Sequence, residues 1–395
     1  MSWKIASRME QLRPSGIRKV NEKALAMERA GEKIYHFEIG RPDFDTPDYI
    51  KEACIDSLKA GNVFYTSNFG TTELREAIAE KLKKQNGVDY EAEEILVTAG
   101  LSEAVLDVLC TLLDTSDEIL VPDPVWMNYQ NIPRMLGAVP VTYDLLEEND
   151  YQLDLAEIRE KITSRTRAMV IVTPNNPTGG VLSRKVLEEL AALAIEHDFV
   201  IISDEVYERL IYSGVTHTSI AALPGMKERT VTLNGLSKAY SMTGWRVGYI
   251  AAPKELILAL NKIHQQNTVC AASFVQKASA VALREEKDEV RDMVIEYERR
   301  RDYAVKAINA IDGVHCLTPA GAFYIFINIK ALGRPSAEVA QYLLERQKIA
   351  FVPGDVFGVN GEGYLRMSFA ASLEEIMEGC RRLAAGIADL KKQSS

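Results

Sequence analysis

Short apolar runs alternate with stretches of helical periodicity along most of this chain. The runs are typical of buried strands: EILVTAG at 94–100, EILVP at 118–122, AMVIVTP at 168–174, FVIISDE at 199–205 and TVTLNG at 230–235. Between the third and fourth runs, residues 184–197 have one apolar helical face, formed by Val186, Leu187, Leu190, Leu193 and Ala194. Strands that alternate with helices predict an α/β fold, in which helices cover both faces of a mostly parallel sheet.

The pattern changes after Glu285. A long charged stretch at 285–311 is typical of a helix, and the apolar runs FYIFINI at 323–329 and YLRMSFA at 364–370 precede a closing helix. We therefore expect a second, smaller α/β domain. The predicted division is an N-terminal segment at 1–48 that packs with the small domain, a large cofactor-binding domain at 49–290 and the small domain at 291–395.

Composition narrows the class of partner. The chain has 395 residues, 47% of them hydrophobic, and a net charge of −10 without a basic stripe. These features predict a large core and small-molecule substrates, and argue against nucleic acid or an anionic membrane as a partner. The five cysteines include no Cys-x-x-Cys pair, the N-terminus is too charged for a signal peptide, and no apolar run reaches membrane-spanning length. We therefore expect a cytoplasmic protein.

Polar side chains follow four of the predicted strands, at the sheet edge where ligands bind in open α/β folds. Ser102 follows a glycine turn at the start of a helix, where free backbone N–H groups favour an anion. The others are Asn175 and Asn176, then Asp204 and Tyr207, and finally Ser237, Lys238 and Arg246. An acid, amides, a phenol, a lysine and an anion cradle are the groups needed to hold a phosphorylated aromatic aldehyde as an imine on the lysine.

Each of these residues also has an ordinary structural interpretation. Lys238 could be a solvated surface lysine, and Asp204 could cap a helix that begins at the sequence SDE. Asn176 could belong to a plain turn, Tyr207 to the core and Arg246 to a surface ion pair. The position of all of them at strand ends of one sheet favours a common binding site.

The segment SKAYSMTGWRVGY at 237–249 resembles the cofactor-lysine segment of the class I/II aminotransferases, which are fold type I enzymes dependent on pyridoxal 5′-phosphate. GRPDFDTP, NPTGG, SDEVYERLIY and YLRMSFA resemble other blocks of that family, in the family's order, from about Gly40 to Phe369. The resemblance implies an aspartate aminotransferase-like homodimer. It would move an amino group between an L-amino acid and a 2-oxo acid by a ping-pong aldimine/ketimine mechanism, with glutamate and 2-oxoglutarate as one pair.

The resemblance also implies a role for each matching residue. Lys238 would bind the cofactor and then move a proton, and Asp204 would pair with the pyridine nitrogen. Tyr207 and Asn176 would hydrogen-bond the 3′ oxygen, and Trp126 would stack on the ring and, like Asn176, line the substrate site.

Further residues would hold the two anionic groups. Arg366 would bind the substrate α-carboxylate, and Gly40 would add a backbone contact. The phosphate would be held by Leu101, Ser102, Ser237 and Arg246, and by Tyr65 from the neighbouring subunit.

Two positions depart from the family pattern. Gly235 stands where many relatives have a serine, so one phosphate hydroxyl is expected to be missing. Ser102 stands where some aspartate- and prephenate-type relatives have a lysine, which weakens a transfer of their substrate preference.

Arg41 directly follows Gly40, where relatives often carry an acid or an amide, and it is our candidate for binding an acidic substrate side chain. The alternative is a surface cluster in which Arg41 pairs with Asp43 and Asp45.

Other functions remain open at this point. A dinucleotide dehydrogenase is disfavoured because no G-x-G-x-x-G follows a strand. A β-elimination lyase, a decarboxylase or a ligase of the same fold type would use the same pocket. A regulatory, non-enzymatic member is disfavoured by the intact set of Lys238, Asp204 and Arg366. The five histidines lack metal-ligand spacing, so we predict no metal site.

Overall fold

The structure of the protein is a computed structural model that describes residues 3–12, 14–285 and 287–394. Its strands are β1 (Tyr35–His36), β2 (Ile95–Thr98), β3 (Glu118–Asp123), β4 (Val139–Asp144), β5 (Thr166–Val172), β6 (Val200–Asp204), β7 (Thr230–Gly235), β8 (Gly248–Ala251), β9 (Tyr324–Asn328), β10 (Ile349–Ala350), β11 (Val352–Pro353) and β12 (Tyr364–Ser368). Its α-helices are α1 (Gly16–Arg29), α2 (Asp48–Lys59), α3 (Thr72–Lys81), α4 (Leu101–Leu112), α5 (Asn128–Leu136), α6 (Leu155–Lys161), α7 (Arg184–His197), α8 (Lys254–Asn267), α9 (Ser273–Arg284), α10 (Glu289–Asn309), α11 (Ser336–Tyr342) and α12 (Leu373–Ser394).

Seven strands form the large sheet, in the order β2-β8-β7-β6-β5-β3-β4. Strand β8 runs antiparallel to both of its neighbours, and the other pairs are parallel. Side chains of β5 alternate between two cores: Met169 and Ile171 pack with α7 on one face, and Val170 packs with α4 and α8 on the other. The predicted α/β fold with a mostly parallel sheet covered on both faces is therefore confirmed.

The five apolar runs identified in the sequence all form strands of this sheet. The predicted helix at 184–197 is also confirmed, and its ends have local causes. The Ser183 hydroxyl accepts a hydrogen bond from the Val186 N–H at 3.3 Å, and Asp198 leaves the helix in the left-handed conformation with φ of 51°. The interpretation of Asp204 as a helix cap is wrong, because residues 206–209 form a turn rather than a helix.

A second, three-stranded antiparallel sheet has the order β11-β12-β9, and α10 and α12 pack into one core with it. The N-terminal segment joins this part of the molecule, because β1 pairs in parallel with β10. The domain boundaries near 48 and 290 remain predictions. Within the described ranges, no helix combines the length and the apolar character needed to cross a bilayer.

Candidate active site

A cavity of about 430 Å³ lies beyond the carboxyl ends of β6 and β7. The large sheet contributes Asp204 and Lys238, the three-stranded sheet contributes Tyr324 and Arg366, and α1 contributes Arg18. The site is thus enclosed by three separate parts of the chain, which is a common setting for a small-molecule site.

Most of the predicted site residues line this one cavity. They are Gly40, Leu101, Ser102, Trp126, Asn176, Asp204, Tyr207, Ser237, Lys238, Arg246 and Arg366. Two predicted residues do not line it. Arg41 is exposed, and Tyr65 is 86% exposed beside Phe64 at a separate groove. The role predicted for Tyr65 lies across a subunit interface and stays a prediction.

Lys238 lies just after β7, and its amine is enclosed by protein groups. Its Nζ donates a hydrogen bond to the Gly40 carbonyl at 2.6 Å and lies 5.7 Å from the Tyr207 ring centroid. Burial, followed by the positive charge of Arg366, lowers the Lys238 pKa from 10.5 to about 8, although Asp204 opposes the shift. About a tenth of the amine is therefore neutral, and nucleophilic, at pH 7, far more than for an ordinary lysine.

Asp204 is the last residue of β6, and its carboxylate is buried. The Tyr129 hydroxyl donates to Oδ2 at 2.8 Å, and the Val206 N–H donates to Oδ1 at 3.2 Å. Burial raises the Asp204 pKa to about 6 although both hydrogen bonds lower it. Asp204 is therefore a buried anion at neutral pH, suited to pair with a cationic group in the cavity.

The start of α4 forms an anion cradle with Arg246. Gly100 has φ of 89°, and a Cβ there would collide with the Arg246 guanidinium, so only glycine allows this close approach. Arg246 donates to the Thr243 carbonyl at 3.0 Å, and Ser102 and Ser237 line the cavity beside it. Free N–H groups in the first turn of α4 and a guanidinium together favour a phosphate.

Gly235 adds no hydroxyl to this cradle, as expected from the sequence. A Cβ at this position would lie 3.0 Å from the Val247 carbonyl oxygen and 3.1 Å from Gly248 Cα. The close packing of β8 against β7 therefore leaves little room for a side chain there.

Arg366 is a buried cation, only 1% exposed. Its guanidinium donates to Asn176 Oδ1 at 3.1 Å and to the Glu38 carbonyl oxygen, and it stacks on the Tyr324 ring at 4.5 Å. Its Nε has no hydrogen-bond partner, and no ion pair neutralises it among the described residues. A buried guanidinium that has no ion-pair partner and an unused N–H donor is suited to bind a carboxylate.

Two tyrosines of the site were not identified from the sequence. Tyr129 lies in α5 and reaches Asp204, and Tyr324 lies in β9 with its hydroxyl 2.8 Å from that of Tyr207. Tyr129 follows Trp126 by three residues, and the two rings meet edge to face at 5.9 Å. This spacing is the one local signal for Tyr129, whereas Tyr324 is brought in only by the tertiary fold.

The chain is similar to known aminotransferases over nearly its whole length. The family model "Aminotransferase class I and II" matches residues 32–383. Aromatic-amino-acid aminotransferase 2 of Thermococcus litoralis is 43% identical, covering 96% of this chain and 97% of that protein. Aspartate aminotransferase of Pyrococcus abyssi gives the same values. The solved structure of aspartate aminotransferase from Thermus thermophilus with maleate has a TM-score of 0.93 at 37% identity, covering 98% of this chain and 100% of that chain.

Proposed function

Because this chain belongs to the class I and II aminotransferases, we propose that it carries pyridoxal 5′-phosphate on Lys238 and moves an amino group between an L-amino acid and a 2-oxo acid. The observation that carries the proposal is the Lys238 amine, whose pKa is lowered to about 8 within a cavity that also holds a buried carboxylate and an anion cradle. When bound, the cofactor supplies a carbonyl carbon that takes up the amino group and a ring that accepts electrons.

The donor set of the cavity fits this cofactor. Lys238 offers the amine for the aldehyde, and Asp204 offers a buried anion for the pyridine nitrogen. Tyr207 and Asn176 offer hydrogen bonds to the phenolic oxygen. The cradle of Leu101, Ser102, Ser237 and Arg246 would hold the phosphate, and Trp126 would contact the ring.

Lys238 also moves the proton. Its Nζ is the one amine that lines the cavity in the described part of the chain, so we assign to it the removal of the proton from the substrate Cα and its delivery to the cofactor carbon that would take up the amino group. Asp204 remains ionised at neutral pH, so its carboxylate would stabilise a positive charge on the pyridine nitrogen of the bound cofactor.

Arg366 would bind the substrate α-carboxylate. Its unpartnered Nε and its burial favour a bidentate contact, while Asn176 and the Glu38 carbonyl hold the guanidinium in place. This contact would hold the bond to the carboxyl carbon out of line with the electron-accepting ring, so the Cα–H bond would be the one aligned to break.

Assembly and substrate pair belong to the same proposal. Val63, Phe64 and Tyr65 are exposed side by side, which favours a homodimer in which Tyr65 contacts the phosphate of the neighbouring subunit.

Glutamate and 2-oxoglutarate are proposed as one substrate pair, supported by relatives that are named for the dicarboxylic amino acid aspartate. The five cysteines are unpaired, which suits the reducing cytoplasm.

A half-reaction screen tests the function. The purified protein, loaded with pyridoxal 5′-phosphate, is mixed with single amino acids, and the 2-oxo acid, carbon dioxide and ammonia released are measured. We expect one 2-oxo acid per site from glutamate, and the starting spectrum to return when a 2-oxo acid is added. Carbon dioxide or ammonia released at rates that rival 2-oxo acid formation would contradict the proposal. The same screen is run on the Lys238→Ala variant. Its control is Lys254→Ala, which removes an exposed lysine at the start of α8.

A further inference from the structure

One cation that lines the cavity has no role in the proposed chemistry. Lys238, Arg246 and Arg366 are assigned to the cofactor aldehyde, the phosphate and the α-carboxylate. The fourth cation is Arg18, in the first turn of α1. Asp204 is the one acidic residue among the described residues that line the cavity, so the region around Arg18 is free to accept a negative charge.

Helix α1 is held next to Arg366 by a chain of contacts. Asn21 lies three residues after Arg18, on the same face of the helix. The Asn21 side-chain amide donates to Glu38 Oε1 at 3.0 Å, and the Glu38 carbonyl accepts from Arg366. Arg18 is therefore presented to the same cavity as the guanidinium that binds the α-carboxylate.

The start of α1 is also packed closely against the C-terminal part of the chain. A Cβ at Gly16 would collide with the side chain of Val356, so glycine is required for this approach. The Ser15 hydroxyl accepts from the Arg18 N–H at 3.4 Å and caps the helix. These contacts fix the backbone from which the Arg18 side chain extends.

The Arg18 guanidinium has no ion pair or hydrogen bond in the part of the chain that the structure describes. By contrast, Lys23 of the same helix pairs with Glu345 at 2.5 Å. The cavity is also lined by the apolar side chains of Ile17 and Ile39.

Arg41, the residue predicted from the sequence for this role, does not reach the cavity. It is exposed, while its neighbour Gly40 lines the site. The surface cluster predicted as the alternative is not formed either, because Asp43 pairs with Arg300 and Asp45 pairs with Lys51, both at 2.8 Å.

We propose that Arg18 binds the second carboxylate of dicarboxylic substrates and so determines the preference for glutamate over monocarboxylic amino acids. This inference rests on the proposed function, because it takes Arg366 as the site of the first carboxylate. A donor with an uncharged side chain would contact Ile17 and Ile39 and make no use of the guanidinium.

The test compares two donors in two variants of α1. We expect Arg18→Ala to lower kcat/KM for glutamate about ten-fold or more and to leave kcat/KM for alanine nearly unchanged. Arg18→Lys keeps the charge but loses the planar fork, so its loss should be smaller. Lys19→Ala is the matched control, because Lys19 is an exposed cation of the same turn that does not line the cavity.

A binding measurement separates this inference from the proposed function. In calorimetric titrations of the cofactor-loaded protein, Arg18→Ala should weaken the dicarboxylate succinate about ten-fold and leave the monocarboxylate butyrate unchanged. Equal losses for both ligands, no loss for either, or a loss in Arg41→Ala instead would overturn the assignment. Absence of amino transfer by the unaltered protein would contradict the proposed function, and the succinate titration would still decide the role of Arg18.

Discussion

Two sides of the cavity are built in different ways. On the sheet side, formed by Asp204, Ser237 and Lys238, the polar groups lie at or just after the ends of buried strands. Asp204 and Lys238 are already held by protein hydrogen bonds. On the α1 side, formed by Ser15, Ile17 and Arg18, the side chains are partly or fully exposed. The sheet side is thus preorganised for one chemistry, whereas the α1 side is suited to select among substrates. Substitutions on the sheet side should therefore lower the activity for every donor, whereas substitutions on the α1 side should change the preference among donors.

The largest effect is expected for Lys238→Ala. Loss of the amine removes both the attachment point and the proton carrier, so kcat/KM should fall about 10⁴-fold or more for every donor. Borohydride reduction of the loaded protein followed by peptide mapping should place the label on Lys238, and Lys254→Ala should be labelled normally. A label on another lysine would contradict this prediction for the sheet side.

The second largest effect on activity is expected for Asp204→Ala. Without the buried anion, the bound ring is a poorer electron acceptor, and kcat should fall about 10³-fold to the same degree for glutamate and alanine. Asp204→Glu should recover part of the rate because it restores the charge. Cofactor content, measured by absorbance, should persist because the phosphate cradle and Lys238 are unchanged. A selective loss for one donor would break the distinction between the two sides.

The sheet side could be predicted from the sequence because its signals are local. Each strand is a short apolar run, and its functional residue lies at its end or within a few positions of it, as with Asp204 at the end of β6 and Lys238 after β7. The α1 side could not be predicted in this way. The sequence pointed to Arg41 because it follows Gly40, and it gave no local signal for Arg18, which reaches the cavity through the packing of α1 in the folded chain.

Two strands of the large sheet were missed for physical reasons. Strand β4 lies at the edge of the sheet with only Tyr143 fully buried, so its apolar signal is weak. Strand β8 has only four residues and begins within the segment that was interpreted for its lysine. Its antiparallel direction depends on pairing with both β2 and β7. Direction and pairing are tertiary properties, which short apolar runs do not encode.

A buried charge cluster joins α8 to α4, the helix that begins at the anion cradle. His264 of α8 is fully buried and bonds Glu103 of α4 at 2.8 Å, with Asp107 at 3.6 Å. Burial opposes its charge, but the two carboxylates, of which Glu103 accepts a hydrogen bond from the imidazole, raise the His264 pKa to about 9. The histidine was interpreted from the sequence only as structural, because its partners are distant in the chain.

His264→Gln should therefore lower the free energy of unfolding by about 3 kcal/mol at pH 6, since two buried carboxylates lose their cation. A histidine with a raised pKa stabilises the fold fully below its unfolded value of 6.5, and this contribution is lost as the pH rises through about 9. Urea unfolding across this pH range should show the wild type approaching the variant. A constant difference between them would mean that His264 contributes by packing alone.

The smallest effect concerns the pH at which the apoprotein takes up its cofactor. Since the neutral Lys238 amine is the attacking form, the uptake rate should rise with pH to a midpoint near 8, falling about ten-fold per pH unit well below it. Arg366→Gln should move this midpoint upward, because Arg366 is one of the charges that lower the Lys238 pKa. The shift should be partial, because burial is the largest cause and remains. Arg18→Gln should leave the midpoint unchanged, because Arg18 is not among the groups that shift this pKa. Stopped-flow absorbance measures the pH profile of the uptake rate for the unaltered protein and for both variants. An equal shift of the midpoint in the two variants would show that the charge of Arg18 also affects the Lys238 amine. The two sides of the cavity would then not be electrostatically separate.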